Sequence, residues 1–209
     1  MPFPYIIHSY EDISPRVRLI RMIPEADEMP FECGQYVKIL KNGYEPRPFS
    51  IASTPRAQYL EFYIGRPGDD EDNDGLRSFL STDLCAGQKI EIDGPFGEMK
   101  ITRNSEGAPT TIYGLAGGTG ISPVRALIVQ ALEQGYDGPI VLYYGVRDEE
   151  DLFILSEFQS LAQRYKNFRY EIILSDAEDF SRYRRGFVHD ALIEDLGEDE
   201  DLQEAVVYL

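Results

Sequence analysis

Cysteine, positive charge and long apolar runs are all scarce in this sequence. Its two cysteines, Cys33 and Cys85, stand far apart with no Cys-x-x-Cys spacing. Neither a zinc site nor an iron–sulfur cluster can be built from its own thiols, and both read as small buried hydrophobes. Lysine and arginine number 20 against 37 acidic residues, and the formal charge of −17 repels nucleic acid and anionic membrane surfaces. An anionic ligand must therefore meet local positive features: helix N-termini, glycine-rich turns, or single arginines such as Arg47, Arg77, Arg125 and Arg147. No apolar run reaches the roughly eighteen residues that suggest a membrane helix. The start, Met1-Pro2-Phe3-Pro4-Tyr5, has neither the basic beginning nor the apolar core of a secretory signal. The expectation is a soluble, intracellular (cytoplasmic) protein with no membrane or nucleic-acid partner.

What is present is apolar material for two compact cores, since 43% of 209 residues are hydrophobic and only 27% are charged. In the first half, residues 1–106, short β-rich runs are broken by Pro, Gly and Asp/Asn clusters. The runs 5–10, 16–23, 35–40, 49–53, 59–64 and 88–92 predict six strands. Arg16-Val17-Arg18-Leu19 and Lys89-Ile90-Glu91-Ile92 show the two-residue period of a strand with one wet face. Six such strands imply a small antiparallel barrel with one helical interruption at 78–85. Past a linker at Glu106-Gly107-Ala108-Pro109, residues 107–209 alternate between strand and helix. Strands are predicted at 110–116, 139–145, 168–174 and 205–209, with helices after Pro123, at 150–165 and at 188–196. That alternation implies a parallel sheet covered by helices on both faces.

Two segments carry chemistry. Arg47-Pro48-Phe49-Ser50 places a cation, an aromatic surface and a hydroxyl in succession; alone, it also reads as a surface arginine before a core aromatic. Ala116-Gly117-Gly118-Thr119-Gly120-Ile121-Ser122-Pro123 joins the first strand of the second half to its helix. Its glycines allow close backbone approach. Ser122 reads as the N-cap and Pro123 as the first helical residue, with free N–H groups and the positive dipole end facing outward. Gly-x-Gly-x-x-Pro alone is a weak signal. A further glycine turn, Gly75-Leu76-Arg77-Ser78, also runs into a short helix.

Taken in order, Phe31-Glu32-Cys33-Gly34-Gln35-Tyr36, Arg47–Ser50, Gly75–Leu80, Gly94-Pro95-Phe96-Gly97 and the glycine loop resemble the ferredoxin–NADP reductase superfamily, and within it the bacterial NAD(P)H:flavin reductases and oxygenase reductase modules. The resemblance implies a flavin-binding barrel followed by an NAD(P)-binding α/β domain. It places Arg47 on the flavin phosphate and Phe49 under the ring, where the family more often has Tyr. Ser50 falls at flavin N5, and Pro48, Tyr63 and Ile64 join the flavin set. Gly75, Arg77 and Ser78 fall at a pyrophosphate, which favours FAD; the acidic run 69–74 beside them leaves FMN or a freely exchanging flavin open. Gly117, Gly118 and Gly120 fall at the dinucleotide phosphates, Thr119 near the nicotinamide, and Arg147 on the adenosine side. Ser50 and Thr119 are thus the catalytic candidates. Ser175-Asp176 stands where NADPH-preferring relatives tend to have Ser-Arg, so NADH is expected; Arg182, Arg184 and Arg185 leave NADPH open.

By the same resemblance, Val206-Val207-Tyr208-Leu209 leads toward a Cys-Gly-Pro-Pro segment that the sequence does not contain, so truncation or a completing partner chain is expected. The implied activity is hydride transfer from nicotinamide to flavin N5 and electron delivery to free flavin, an iron–sulfur protein or an oxygenase component. The alternative is a non-catalytic or partner-completed subunit that keeps the fold as a binding module.

Overall fold

The computed structural model describes residues 2–66, 75–101, 110–176 and 182–197, together with the backbone of 205–208. The acidic run 69–74 and the linker 106–109 lie outside the described residues.

The first half forms strands β1 Phe3–Ser14, β2 Val17–Pro24, β3 Tyr36–Leu40, β4 Arg47–Ser50, β5 Leu60–Gly65 and β6 Lys89–Phe96. They build one antiparallel sheet in the order β4-β3-β6-β1-β2-β5. The two-residue period decides what faces inward: Leu60, Phe62 and Ile64 of β5, Val37 and Ile39 of β3, and Ile90 and Ile92 of β6 are all buried in one core. Directly after β4 the chain leaves the β3 ladder and crosses to β5. The Ala52 N–H donates to the Glu61 carbonyl at 2.9 Å, and Ser53 Oγ accepts from the Glu61 N–H at 3.1 Å. This crossing brings the two edge strands together and curls the sheet into the expected barrel. It also ends β4 at Ser50 rather than at residue 53. The expected helix at 78–85 starts earlier. Gly75, at φ 121, turns the chain into α1 Leu76–Ser78, which runs on as a π-type turn over Phe79–Asp83 and buries Leu76, Phe79 and Leu80.

The second half is a parallel sheet of β7 Thr111–Gly117, β8 Ile140–Val146, β9 Phe168–Leu174, β10 Arg184–Arg185 and β11 Ala205–Tyr208, ordered β10-β9-β8-β7-β11. Helices α2 Ile121–Glu133 and α3 Leu155–Arg164 cover one face, packing Val124, Leu127 and Phe158 with Leu142 and Tyr144. Helix α4 Val188–Leu196 covers the other with Ala191 and Leu192 against Tyr113, Leu115, Val141 and Tyr143. Cover on both faces explains the unbroken apolar run Ile140-Val141-Leu142-Tyr143-Tyr144.

Three local expectations change. The helix expected at 150–165 splits into a 3-10 turn at Glu149–Asp151 and α3, because Asp148 Oδ1 accepts from the Glu150 N–H at 3.1 Å and caps its own short turn. The barrel holds that turn in place: Arg16 Nη1 pairs with Asp148 at 3.1 Å and also with Asp151. Ser122 is not the N-cap of α2. A 3-10 turn at Gly118–Gly120 starts the helix early, Gly120 takes the cap position, and Ser122 Oγ donates back to the Thr119 carbonyl at 2.8 Å. Pro123 still sits in the first turn, where a missing N–H has no intrahelical partner to lose. The two-residue β10 was not expected at all; its Arg184 is tied to Glu194 and Asp195 of α4 rather than offered to a phosphate. Among the described residues, no helix is long and apolar enough to cross a membrane, and no group of three His, Cys, Asp or Glu side chains is placed to hold a metal ion.

Candidate functional site

The site is built on the C-terminal edge of the parallel sheet, where each strand hands over to a loop. β7 ends at Gly117 and turns through Gly118, at φ 49, into α2. A Cβ at Gly118 or Gly120 would meet no atom within 4 Å, so these hydrogens face open space that a ligand backbone or phosphate can approach. Beneath the loop the buried Tyr144 hydroxyl donates to the Gly118 carbonyl at 3.3 Å. Burial, and after it the neighbouring Tyr63 and Asp151, push the Tyr144 phenol far above its ordinary range, so it remains a donor. Glycine is needed behind the loop as well. A Cβ at Gly114 would lie 2.8 Å from Val124 Cγ1, and one at Gly145 would lie 2.9 Å from Val188 Cγ1, so α2 and α4 depend on bare backbone beneath them.

Between this edge and the barrel lies a cleft of about 750 Å³. Gly117, Gly118 and Thr119 at the end of β7, Gly145 to Arg147 at the end of β8, Ser175 after β9, and Gly186 to His189 at the start of α4 form one wall. Pro15 to Val17, Gly65, Arg66 and Arg77 form the barrel side. Four arginines, Arg16, Arg66, Arg77 and Arg147, meet here against one carboxylate, Asp151, among the described lining residues. In a chain of charge −17 this gathers cations at one place, although Arg16 is paired with Asp148 and Asp151 and Arg66 with Asp12. Arg77 is held in place by its Nε donating to the Gly65 carbonyl at 2.6 Å, and Arg66 by Asp12 at 3.3 Å. Phe187, 58% exposed, stacks on His189 with centroids 5.8 Å apart and gives the cleft a flat apolar wall.

The structure thus brings Arg77, Gly117, Gly118, Thr119, Arg147 and Ser175 into one cavity. Gly120 and Asp176 flank it without lining it; Asp176 is exposed, its N–H donating to the Arg147 carbonyl at 2.8 Å. Arg47 and Pro48 are exposed on β4, with Phe49 and Ser50 half-buried beside them, away from this wall. Gly75 and Ser78 bracket α1. Ile64 is 1% exposed in the barrel core, so its side chain is not open to a ligand. Tyr63 is half-buried against Phe153, ring centroids 5.0 Å apart, and burial pushes its phenol up to about 12. Arg125 is committed to protein partners and does not line the cleft.

Sequence reasoning missed Arg16, Arg66, Asp151, Phe187 and His189. The available signal was Phe187 directly before the helix predicted at 188–196, with His189 in its first turn. The donor set fits a dinucleotide: glycine backbone with room above it, converging cations, and a flat apolar surface, in a cavity of cofactor size. On β4, an exposed cation beside a half-buried aromatic and hydroxyl fits a flavin edge.

Residues 115–209 match the family described as "Oxidoreductase NAD-binding domain". The chain is 34% identical to the reductase subunit of an aromatic O-demethylase of Amycolatopsis, over 82% of this chain and 51% of that protein. It is 30% identical to an NAD(P)H-flavin reductase of Vibrio harveyi, over 97% of this chain and 84% of that one. Among solved structures, the Amycolatopsis cytochrome P450 reductase GcoB superposes with a TM-score of 0.84 at 28% identity, covering 99% of this chain and 60% of that one. The chain spans about half the length of several curated relatives that it matches.

Proposed function

As the chain belongs to the family of NAD(P)H-flavin reductases and oxygenase reductase components within the ferredoxin–NADP reductase superfamily, we propose that it is a flavin-dependent NAD(P)H oxidoreductase that passes electrons to free flavin or to a protein acceptor such as an oxygenase component. The observation that carries this reading is the cleft itself, in which the glycine loop and Arg147 on the parallel-sheet wall face Arg16, Arg66 and Arg77 across the junction with the barrel. A bound flavin supplies a ring that accepts hydride and releases electrons singly or in pairs. The chain's own residues bind and orient. Arg47 offers a bidentate cation to a flavin phosphate, Phe49 and Pro48 an apolar surface, and Ser50 a hydroxyl for ring nitrogen N5. Gly75, Arg77 and Ser78 are suited to a second phosphate, which favours FAD over FMN.

Across the cleft, Gly117, Gly118 and Gly120 hold the dinucleotide phosphates and Thr119 fixes the nicotinamide end. Arg147 and Ser175 take the adenosine side, with Phe187 and His189 as a platform for its base. Asp176 beside them disfavours a 2′-phosphate, so NADH is the preferred donor. The work asked of the protein is alignment of two rings, since hydride transfer requires no protein acid or base in flight.

The test is direct. FAD is added to purified protein, the unbound fraction is removed, and the visible spectrum is followed while NADH is titrated without oxygen. Flavin retention with bleaching supports the reading, and the absence of both overturns it. FMN and NADPH in the same experiment rank the cofactors.

A further inference from the structure

We propose that Arg125 is a positioning residue that sets the approach of the flavin strand to the nicotinamide loop; the proposal rests on the reductase reading above. Arg125 lies just over one turn into α2, the helix that the glycine loop opens, and its side chain is 15% exposed. Its Nη1 donates to the carbonyl of Ala52 at 2.6 Å. Ala52 follows Ser50 by two residues, is fully buried, and is the residue whose N–H crosses from β4 to β5. Its neighbours are equally fixed, with the Ile51 N–H donating to Gln35 at 3.0 Å and Ser53 Oγ accepting from Glu61. A pull on the Ala52 carbonyl therefore acts on the whole barrel edge and not on a loose loop.

The rest of the guanidinium is held from behind. Nε and Nη2 each meet a different oxygen of Glu157 at 2.8 Å, a two-point fork with a carboxylate in the first turn of α3. Burial acts to lower the Arg125 pKa, but Tyr63 and Glu157 beside it hold it above the usual arginine range, so the charge is permanent. Three donors thus serve two partners at fixed angles. One partner belongs to the segment that carries Ser50, the other to the nucleotide domain. None of these groups lines the cleft, so Arg125 acts on alignment and not on ligand contact. A ring-to-ring transfer is sensitive to such alignment, because a misplacement of about 1 Å can lower a rate on the order of 100-fold.

The test uses the FAD-loaded full chain with Arg125→Lys, which keeps the charge but cannot form the fork and reach Ala52 together, and with Glu157→Gln, which weakens only the fork. Flavin affinity is measured by fluorescence titration. The limiting rate of anaerobic reduction at saturating NADH is read by stopped flow, with long-wavelength absorbance reporting ring-to-ring contact. Expected for Arg125→Lys is flavin affinity within about twofold of wild type, a limiting rate roughly 10- to 100-fold lower, and loss of the long-wavelength band; Glu157→Gln gives a smaller fall of the same pattern. Wild-type rates in both variants overturn the proposal. So does a loss of flavin affinity that matches the loss of rate, the mark of a merely structural residue. If wild-type protein itself is not reduced, the reductase reading fails first and takes the positioning role with it.

Discussion

The hydroxyl of Tyr144 supports the carbonyl of Gly118 from beneath, 3.3 Å away, and so ties the core of the parallel sheet to the loop that faces the cleft. The same ring meets Phe153 edge-on at 6.2 Å, and Phe153 in turn meets Tyr63 of the barrel at 5.0 Å. One aromatic series therefore runs from barrel strand to glycine loop. Tyr144→Phe keeps the rings and removes only the donor. A net hydrogen bond contributes about 0.5–1.5 kcal/mol, so the KM for NADH is expected to rise roughly two- to tenfold with flavin affinity unchanged. Steady-state kinetics beside a flavin titration checks this, and a change confined to flavin affinity contradicts it.

Gly114→Ala tests how closely α2 rests on β7. The new Cβ would stand 2.8 Å from Val124 Cγ1 and 3.3 Å from Ile128 Cδ1 and Leu142 Cδ1. A β-branched residue in a helix has little rotamer freedom to move aside. Overpacking of this kind costs about 1–3 kcal/mol. Urea unfolding is expected to show a midpoint lowered accordingly with an unchanged slope; an unchanged midpoint would mean that the helix shifts freely.

Legibility of these features in the sequence follows the range of the interaction that makes them. Strand β9 and helix α4 fall where periodicity places them because their signals are local. The glycine loop is legible for the same reason, its glycines and Pro123 being contiguous. Arg16 gave no signal, because its partner Asp148 lies 132 residues away and either residue alone reads as solvated surface. Arg125 was legible as a cation but not as a clamp. Its partner across 73 residues is a backbone carbonyl, a group every residue carries. The split of the expected 150–165 helix belongs to the same class, since Asp148 and Asp151 are held by the barrel.

The two thiols should react very differently. Cys33 is 2% exposed among side chains of the second core, and burial, with Glu133 adding to it, pushes its thiol up to about 11; Cys85 is exposed. At pH 8 a thiol titrating near 11 is thiolate in about one molecule per thousand, and thiolate is the reactive form. Native protein is expected to give one fast equivalent with a disulfide reagent at pH 8, and two after denaturation. The stability consequence has a definite sign. The folded value lies above the unfolded one, so the Cys33 contribution is fully present below about pH 8.5 and is lost as pH rises toward 11. Cys33→Ala should flatten the decline of unfolding free energy measured across that window, and an equally steep decline would assign it to other groups.

Asp176 governs the last prediction, the choice between the two nicotinamide donors. It follows β9 directly after Ser175, is exposed, and is fixed through its N–H to the Arg147 carbonyl at 2.8 Å. Arginine help for a 2′-phosphate is smaller than the sequence suggests, since Arg184 is bound to Glu194 and Asp195. Two unit charges about 4 Å apart in water repel by about 1 kcal/mol, and a phosphate carries nearly two negative charges. Asp176→Asn is therefore expected to raise kcat/KM for NADPH by roughly five- to thirtyfold while leaving that for NADH within about twofold. The gain should shrink as salt is raised from 50 to 500 mM, because an exposed charge pair is screened over a Debye length of about 10 Å at 0.1 M. A parallel change with both donors would place Asp176 outside the specificity determinants and leave the proposed preference for NADH without a residue to carry it.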